Sequence, residues 1–114
     1  MNTVPDETAQ EGPAAAATFA SGYTDDGFLG GRLQLLQPAK GYRAGIDAVL
    51  LAASIPARHG EHALEAGSGV GVASLCLAAR VPDAVIAGLE LQPELARVAQ
   101  ENVRRNGFGE RVMF

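Results

Sequence analysis

Three closely spaced glycines and two acidic residues form the pattern in this sequence that indicates a ligand-binding site. The glycines fall in a G-x-G-x-G pattern at Gly67, Gly69 and Gly71, and Glu65 lies two residues before the first of them. A backbone without Cβ atoms can approach a ligand closely, and a helix that starts at such a loop offers free N–H groups. Glu90 follows 19 residues after Gly71, close to the offset of about 20 residues at which an acid hydrogen-bonds a ribose diol.

The same loop argues against two common nucleotide sites. The dinucleotide fingerprint G-x-G-x-x-G/A requires glycine or alanine at position 72, where this chain has Val72. A P-loop requires a lysine followed by serine or threonine, whereas Val72 and Ala73 follow Gly71 here. The pattern therefore disfavours NAD and the phosphates of ATP, and makes an NAD-dependent oxidoreductase the weakest competing interpretation.

The elements around the glycines predict a sheet of parallel strands wrapped by helices. In chain order they are a buried strand at 63–66, a helix from Val72 that Pro82 breaks, a strand at 85–89, and a helix from Pro93 to Asn106–Gly107. This β-loop-α-β-α order is typical of an α/β fold. Because neighbouring parallel strands end at the same edge, we expect Glu90 to point across the crevice at the ligand that the glycine loop holds.

The upstream half predicts smaller elements. Residues 1–22 are polar and alanine-rich without periodicity, which indicates a disordered acidic leader. From Thr24 to Arg43 the pattern predicts a short hairpin or β lobe with Gly30–Gly31 as its turn. A helix then follows, with Asp47 predicted as its N-cap and Pro56 as its end.

Composition excludes several classes of protein. The net charge is −4, but residues 1–31 carry five acidic and no basic residues, while the remainder carries nine basic and eight acidic ones. A nucleic-acid partner would therefore be recognised by a local surface rather than by overall charge. One cysteine excludes a disulfide framework and a cysteine-rich zinc site, so no metal is expected. No apolar run approaches the ~20 residues of a membrane span, and we expect a cytoplasmic protein.

Four segments carry a resemblance to class I S-adenosylmethionine-dependent methyltransferases. Leu64–Gly71 resembles their first motif, Gly88–Pro93 their second-strand motif, and residues 99–107 the helix after it. The segment Gly41–Ala52 is similar to the one that precedes the first motif in the tRNA1(Val) adenine N6-methyltransferase group. The resemblance covers about residues 24–114. It implies a Rossmann-like class I methyltransferase fold, incomplete here, with a β lobe and a helix before the first β-α-β-α unit.

The resemblance also implies a set of site residues for S-adenosylmethionine. These are Glu65, Gly67, Ser68, Gly69, Gly71, Glu90, Leu91, Arg43 and Asp47. Gly67, Ser68, Gly69 and Gly71 would line the methionine part, and Glu65 would face its amino group. Glu90 would hold both ribose hydroxyls, and Leu91 would pack near the adenine. Arg43 and Asp47 would close the methionine end of the pocket, where Asp47 also has the interpretation of a helix cap.

The residues of the transfer step are not identified. In enzymes of this group an Asn-Pro-Pro-aromatic motif presents the amine to the methyl group, and no such tetrapeptide occurs in this chain. Residues 111–114 predict the start of a third strand, so we expect residues 23–114 to be the N-terminal part of a methyltransferase domain, truncated before that motif and inactive alone. The resemblance implies N6-methylation of a tRNA adenine. Methylation of ribosomal RNA or of a protein glutamine amide, and a non-catalytic nucleotide-binding module, stay open.

Overall fold

The computed structural model describes residues 21–114, so the predicted leader lies outside the described residues except for its last two positions. In chain order the elements are β1 (Tyr23–Phe28), β2 (Leu33–Pro38), α1 (Ile46–Ser54), β3 (His62–Ala66), α2 (Val72–Arg80), β4 (Val85–Leu89), α3 (Pro93–Arg105) and β5 (Val112–Met113). The strands form a two-stranded antiparallel hairpin and a three-stranded parallel sheet. The α/β prediction, with a β lobe and a helix before the first β-α-β-α unit, is confirmed.

The parallel sheet has the strand order β3-β4-β5. Its register pairs Glu65 of β3 with Gly88 of β4, and Ile86 of β4 with Val112 of β5. The strands β3 and β4 therefore end side by side, with the loop 67–71 after one and Glu90 after the other. The short strand β5 confirms the predicted third strand.

One face of this sheet packs against the helices and forms the core. Ile86 and Val112 from the strands are buried together with Leu75 of α2 and with Val98 and Val103 of α3, all at most 2% exposed. Burying each of these side chains contributes roughly 1.5–3 kcal/mol. The packing of both helices on the strands fixes the directions in which the loops after β3 and β4 leave the sheet.

The predicted strand at 63–66 is confirmed as β3, but the prediction that it is buried is wrong. No residue of β3 is buried, and Leu64 is 65% exposed. Side chains alternate between the two faces of a strand, and the outward row that includes Leu64, Leu89 and Met113 is uncovered by the described residues. Strand β3 also lies at the edge of the sheet, so no neighbouring strand pairs with its outer edge among the described residues.

The prediction of Asp47 as an N-cap is also wrong, by two positions. Helix α1 begins at Ile46 after Gly45, and no side chain caps it. Asp47 lies inside the first turn, where its carboxylate accepts hydrogen bonds from the Gly45 N–H at 3.0 Å and from the Tyr42 hydroxyl at 2.9 Å. An acid in this turn still complements the positive end of the helix dipole.

The β1–β2 hairpin confirms the predicted β lobe. Its strands pair from Tyr23 with Pro38 to Phe28 with Leu33, and the turn between them contains Gly30 and Gly31 at φ of 64° and 87°. Strand β2 brings buried leucines against the helices, and α3 packs on it. The hairpin is thereby attached to the same helix that follows β4.

Candidate functional site

A cavity of about 1050 Å³ lies between the loop 67–71, the end of β4 and the segment that joins β2 to α1. The charged residues that line it are Lys40, Asp47, Glu65, Glu90 and Glu94. Four carboxylates against one ammonium group make this a predominantly acidic cavity. It therefore favours a ligand that carries positive charge.

The glycine loop adopts a backbone shape that requires glycine. Gly67, Gly69 and Gly71 have φ of 72°, 58° and 93°, in the left-handed region that other residues rarely adopt. A Cβ built on Gly67 or Gly69 would meet no atom within 4 Å. At these two positions the space beside the backbone is therefore open, which allows the close approach of a ligand.

Glu90 is bound directly to the glycine loop. Its Oε1 accepts the N–H of Gly69 at 2.8 Å, and its Oε2 accepts the N–H of Gln92 at 2.9 Å. A carboxylate offers about four acceptor positions, so both oxygens keep capacity for another donor. The arrangement holds a carboxylate beside the loop with acceptor positions left for a ligand.

Glu65 is half-buried at the end of β3. Its carboxylate accepts a hydrogen bond from the Ser74 hydroxyl at 2.5 Å, and the Ser74 backbone N–H also bonds it. Burial raises the pKa of Glu65 above its ordinary value of 4.5, against the lowering effect of these bonds. The hydrogen bonds from Ser74 therefore do not offset the cost of burying the charged carboxylate. A cationic group beside Glu65 would stabilise that charge.

The raised pKa of Glu65 predicts a pH dependence of stability. The folded state holds the Glu65 proton more tightly than the unfolded state, so this contribution is complete below pH 4.5 and is lost as the pH rises through the folded-state pKa. We expect Glu65→Gln, which keeps an acceptor for Ser74, to remove that loss and to stabilise the chain at neutral pH. Urea unfolding of the wild type and of Glu65→Gln, from below pH 4.5 to neutral pH, measures this difference in stability. Equal pH profiles of the two proteins would contradict the prediction.

Tyr42 is a residue of the site that the sequence did not identify. Its side chain is 76% exposed at the cavity wall, and its hydroxyl donates to Asp47. That bond raises the pKa of Tyr42, while the Gly45 N–H, and after it the Tyr42 hydroxyl, lower the pKa of Asp47. Tyr42 lies within the segment that resembles the methyltransferase group, but no spacing rule marks a tyrosine there as functional. Ser74, the partner of Glu65, was missed for the same reason.

Arg43 and Leu91 are not brought to the cavity wall. Arg43 donates to Asp26 at 3.0 Å, to the Thr24 hydroxyl at 2.8 Å and to the Pro38 carbonyl at 2.7 Å, so it braces the hairpin instead. Leu91 is 95% exposed beside Glu90 and does not line the cavity. The structure therefore brings together Gly67, Gly69, Ser68, Glu65, Glu90 and Asp47 at the cavity, without Gly71, Arg43 or Leu91.

Ser68 and Cys76 are the buried polar or reactive groups near the loop. Among residues 21–114, the Ser68 hydroxyl is the buried side-chain oxygen that has no hydrogen-bond partner. Burial raises the pKa of the Cys76 thiol to about 11, so it stays protonated and packs in the core. Within the described part of the chain, no three metal-ligating side chains cluster, and no helix is long and apolar enough to cross a bilayer.

Comparisons with known proteins agree with this arrangement. Residues 41–114 match the family model of protein-L-isoaspartate(D-aspartate) O-methyltransferase (PCMT). The tRNA1(Val) (adenine(37)-N6)-methyltransferases of Yersinia enterocolitica and Yersinia pestis are each 38% identical over 71 residues, which is 61% of this chain. The chain spans 28% of the length of the Yersinia enterocolitica relative and 29% of that from Yersinia pestis.

Solved structures show the same fold. P. horikoshii TYW2 in complex with MeSAdo has a TM-score of 0.67 at 18% identity and covers 82% of this chain, which spans 35% of that one. A SAM-dependent methyltransferase from Agrobacterium tumefaciens has a TM-score of 0.62 at 18% identity and covers 82% of this chain, which spans 31% of that one. With the family model matching well over half of its residues, the chain belongs to the PCMT family of class I S-adenosylmethionine-dependent methyltransferases.

Proposed function

We propose that this chain binds S-adenosylmethionine in the acidic cavity and supplies the cofactor-binding half of an enzyme that methylates an adenine amino group in tRNA. In this proposal Glu90 holds the ribose hydroxyls, and the loop 67–71 holds the methionine part. Glu65 faces the methionine ammonium group, and Asp47 closes that end. Leu91, exposed beside Glu90, becomes covered by the adenine.

The observation that carries the proposal is the bond between Glu90 and the glycine loop. The Gly69 N–H lies 2.8 Å from the Glu90 carboxylate, so one ligand that touches the loop is within reach of the acid. Each oxygen of Glu90 already accepts one backbone N–H and retains an acceptor position. Two neighbouring hydroxyls on a ribose fit that remaining capacity.

The charge of the cavity supports a sulfonium nucleoside over a dinucleotide. Four carboxylates and one lysine line it, and S-adenosylmethionine brings a sulfonium and an ammonium group to them. NAD would bring two negatively charged phosphates to the same wall, where like charges repel. The half-buried Glu65, whose pKa burial raises, gains most from a nearby ammonium group.

The relatives support tRNA as the substrate. The two Yersinia relatives described above are named as tRNA1(Val) adenine methyltransferases, and the segment 41–52 resembles the same group. The PCMT model matches residues 41–114, which hold the loop and Glu90, so it supports the cofactor site and not a particular methyl acceptor. A cytoplasmic location, where tRNA is processed, belongs to the same proposal.

The proposal is tested by calorimetric titration of the chain with S-adenosylhomocysteine and, separately, with NAD. We expect S-adenosylhomocysteine to bind at least about tenfold more tightly, a difference of roughly 1.4 kcal/mol. S-adenosylhomocysteine keeps the ribose, the adenine and the ammonium group, so it probes each proposed contact except that of the sulfonium charge. Equal affinity for the two ligands, or a preference for NAD, would contradict the proposed function.

A further inference from the structure

Two asparagines of α3 bind the backbone of β2 in the manner of a neighbouring strand. The side chain of Asn106 accepts the Gln34 N–H and donates to the Gln34 carbonyl, both at 3.0 Å. One turn earlier, Asn102 accepts the Leu36 N–H at 2.8 Å and donates to the Leu36 carbonyl at 3.1 Å. The four-residue spacing on the helix thus matches the two-residue spacing of one strand face.

Each asparagine makes a third side-chain bond: that of Asn106 stays within α3, on the Asn102 carbonyl at 2.8 Å, whereas that of Asn102 reaches the glycine loop. The Asn102 amide nitrogen donates to the carbonyl of Val70 at 2.9 Å. Asn102 is wholly buried, both of its amide N–H groups donate and its oxygen accepts one bond, so each of its polar atoms has a partner. Buried polar networks that are completely satisfied hold a single arrangement of the groups they join.

The loop is therefore fixed from two sides at adjacent residues. Glu90 holds the N–H of Gly69, and Asn102 holds the carbonyl of Val70. Gly71, the next residue, is the N-cap of α2 in the left-handed conformation. A glycine-rich loop that is already anchored at Gly69 and Val70 loses less conformational entropy when a ligand binds to it.

We propose that Asn102 is a positioning residue that couples the β1–β2 hairpin to the cofactor loop. It acts through Val70 and does not line the cavity. The inference rests on the proposed function, because it assigns the loop to S-adenosylmethionine. Coupling is reciprocal in free energy, so a ligand bound at the loop must also strengthen the bonds between Asn102 and the hairpin.

Asn102→Ala and Asn106→Ala form a matched pair for the test in the full chain. Both remove a two-bond contact with β2, but Asn102→Ala alone frees the Val70 carbonyl. We expect Asn102→Ala to weaken binding of S-adenosylhomocysteine roughly tenfold under conditions where the variant is folded, the size expected for one lost hydrogen bond, and Asn106→Ala to leave affinity within about twofold. Equal losses of affinity in the two variants would overturn the inference.

Hydrogen exchange separates this inference from the proposed function and needs no ligand. In the ligand-free chain we expect the Gly69 and Gly71 amides to exchange faster in Asn102→Ala than in Asn106→Ala. Equal exchange would overturn the coupling even if S-adenosylhomocysteine binds. Should the wild type fail to bind it, the proposed function falls, while faster loop exchange in Asn102→Ala would still support the anchoring of the loop.

A measurement on the wild type covers the case in which Asn102→Ala does not fold. Leu36 does not line the cavity, and its N–H is held by Asn102. We expect S-adenosylhomocysteine to slow exchange of the Leu36 amide more than that of Gln34, whose N–H is held by Asn106. Equal protection of the two amides, or none at either, would overturn the inference.

Discussion

Glu90→Gln is expected to weaken binding of S-adenosylhomocysteine by about 100-fold, the size expected for losing hydrogen bonds to a charged acceptor. The glutamine keeps one oxygen for the Gly69 N–H but replaces the second acceptor with a donor. That donor would face the Gln92 N–H, which the carboxylate now accepts at 2.9 Å. The ribose hydroxyls would therefore lose charged acceptors, and the turn after β4 would lose a bond. Calorimetric titration measures the change.

Glu94→Gln is the matched control for this prediction. Glu94 lines the same cavity and carries the same charge as Glu90. Its carboxylate accepts a hydrogen bond from the Tyr23 hydroxyl at 2.5 Å and, among the described residues, none from the glycine loop. We expect its replacement to change affinity by less than about fivefold, because only the general charge of the cavity falls. Similar losses in both variants would mean that Glu90 acts through charge alone and not through the ribose.

Gly88→Ala is expected to destabilise the chain by about 2–3 kcal/mol, in the range of other overpacked cores. A Cβ at this position would collide with the Phe114 ring and lie 2.9 Å from the Ser68 Cβ. The ring can turn away, but Ser68 belongs to the loop that Glu90 and Asn102 anchor. The substitution should therefore also weaken binding of S-adenosylhomocysteine.

Gly109→Ala provides the comparison for Gly88→Ala. A Cβ on Gly109 would meet nothing within 4 Å, and its φ is not in the left-handed region. The stability change there should stay within about 0.5 kcal/mol, as for other surface substitutions. Urea unfolding measures the free energy of unfolding of both variants. Equal values would contradict the prediction, because they would show that the structure accommodates a Cβ at Gly88 without loss of stability.

The central juxtaposition of the site followed from the sequence. Neighbouring parallel strands end at one edge, so the spacing between Gly71 and Glu90 was enough to expect the acid beside the loop. The same reasoning could not reach Asn102. Asn102 lies next to the apolar stripe of α3. No feature of the neighbouring sequence indicates that the backbone of the β1–β2 hairpin would hydrogen-bond its side chain. Long-range partners of buried polar groups depend on the packing, which composition and periodicity do not specify.

Two errors have a similar origin. The apolar run at 63–66 predicted burial, yet burial of Leu64 depends on what covers the outward face of the sheet, and the described residues leave it exposed. Asp47 was assigned as a cap, but Tyr42 and the Gly45 N–H bind its carboxylate within the first turn. The resemblance also implies a place for Arg43 at the methionine end of the pocket. Its guanidinium instead pairs with Asp26, 17 residues earlier in the chain.

A crystal structure of the chain with S-adenosylhomocysteine would test the proposed site most directly. We expect both ribose hydroxyls within hydrogen-bond distance of the Glu90 carboxylate, and the amino-acid end of the ligand along residues 67–71. A nucleoside found elsewhere on the chain, or one that leaves Glu90 bonded to the backbone alone, would contradict it.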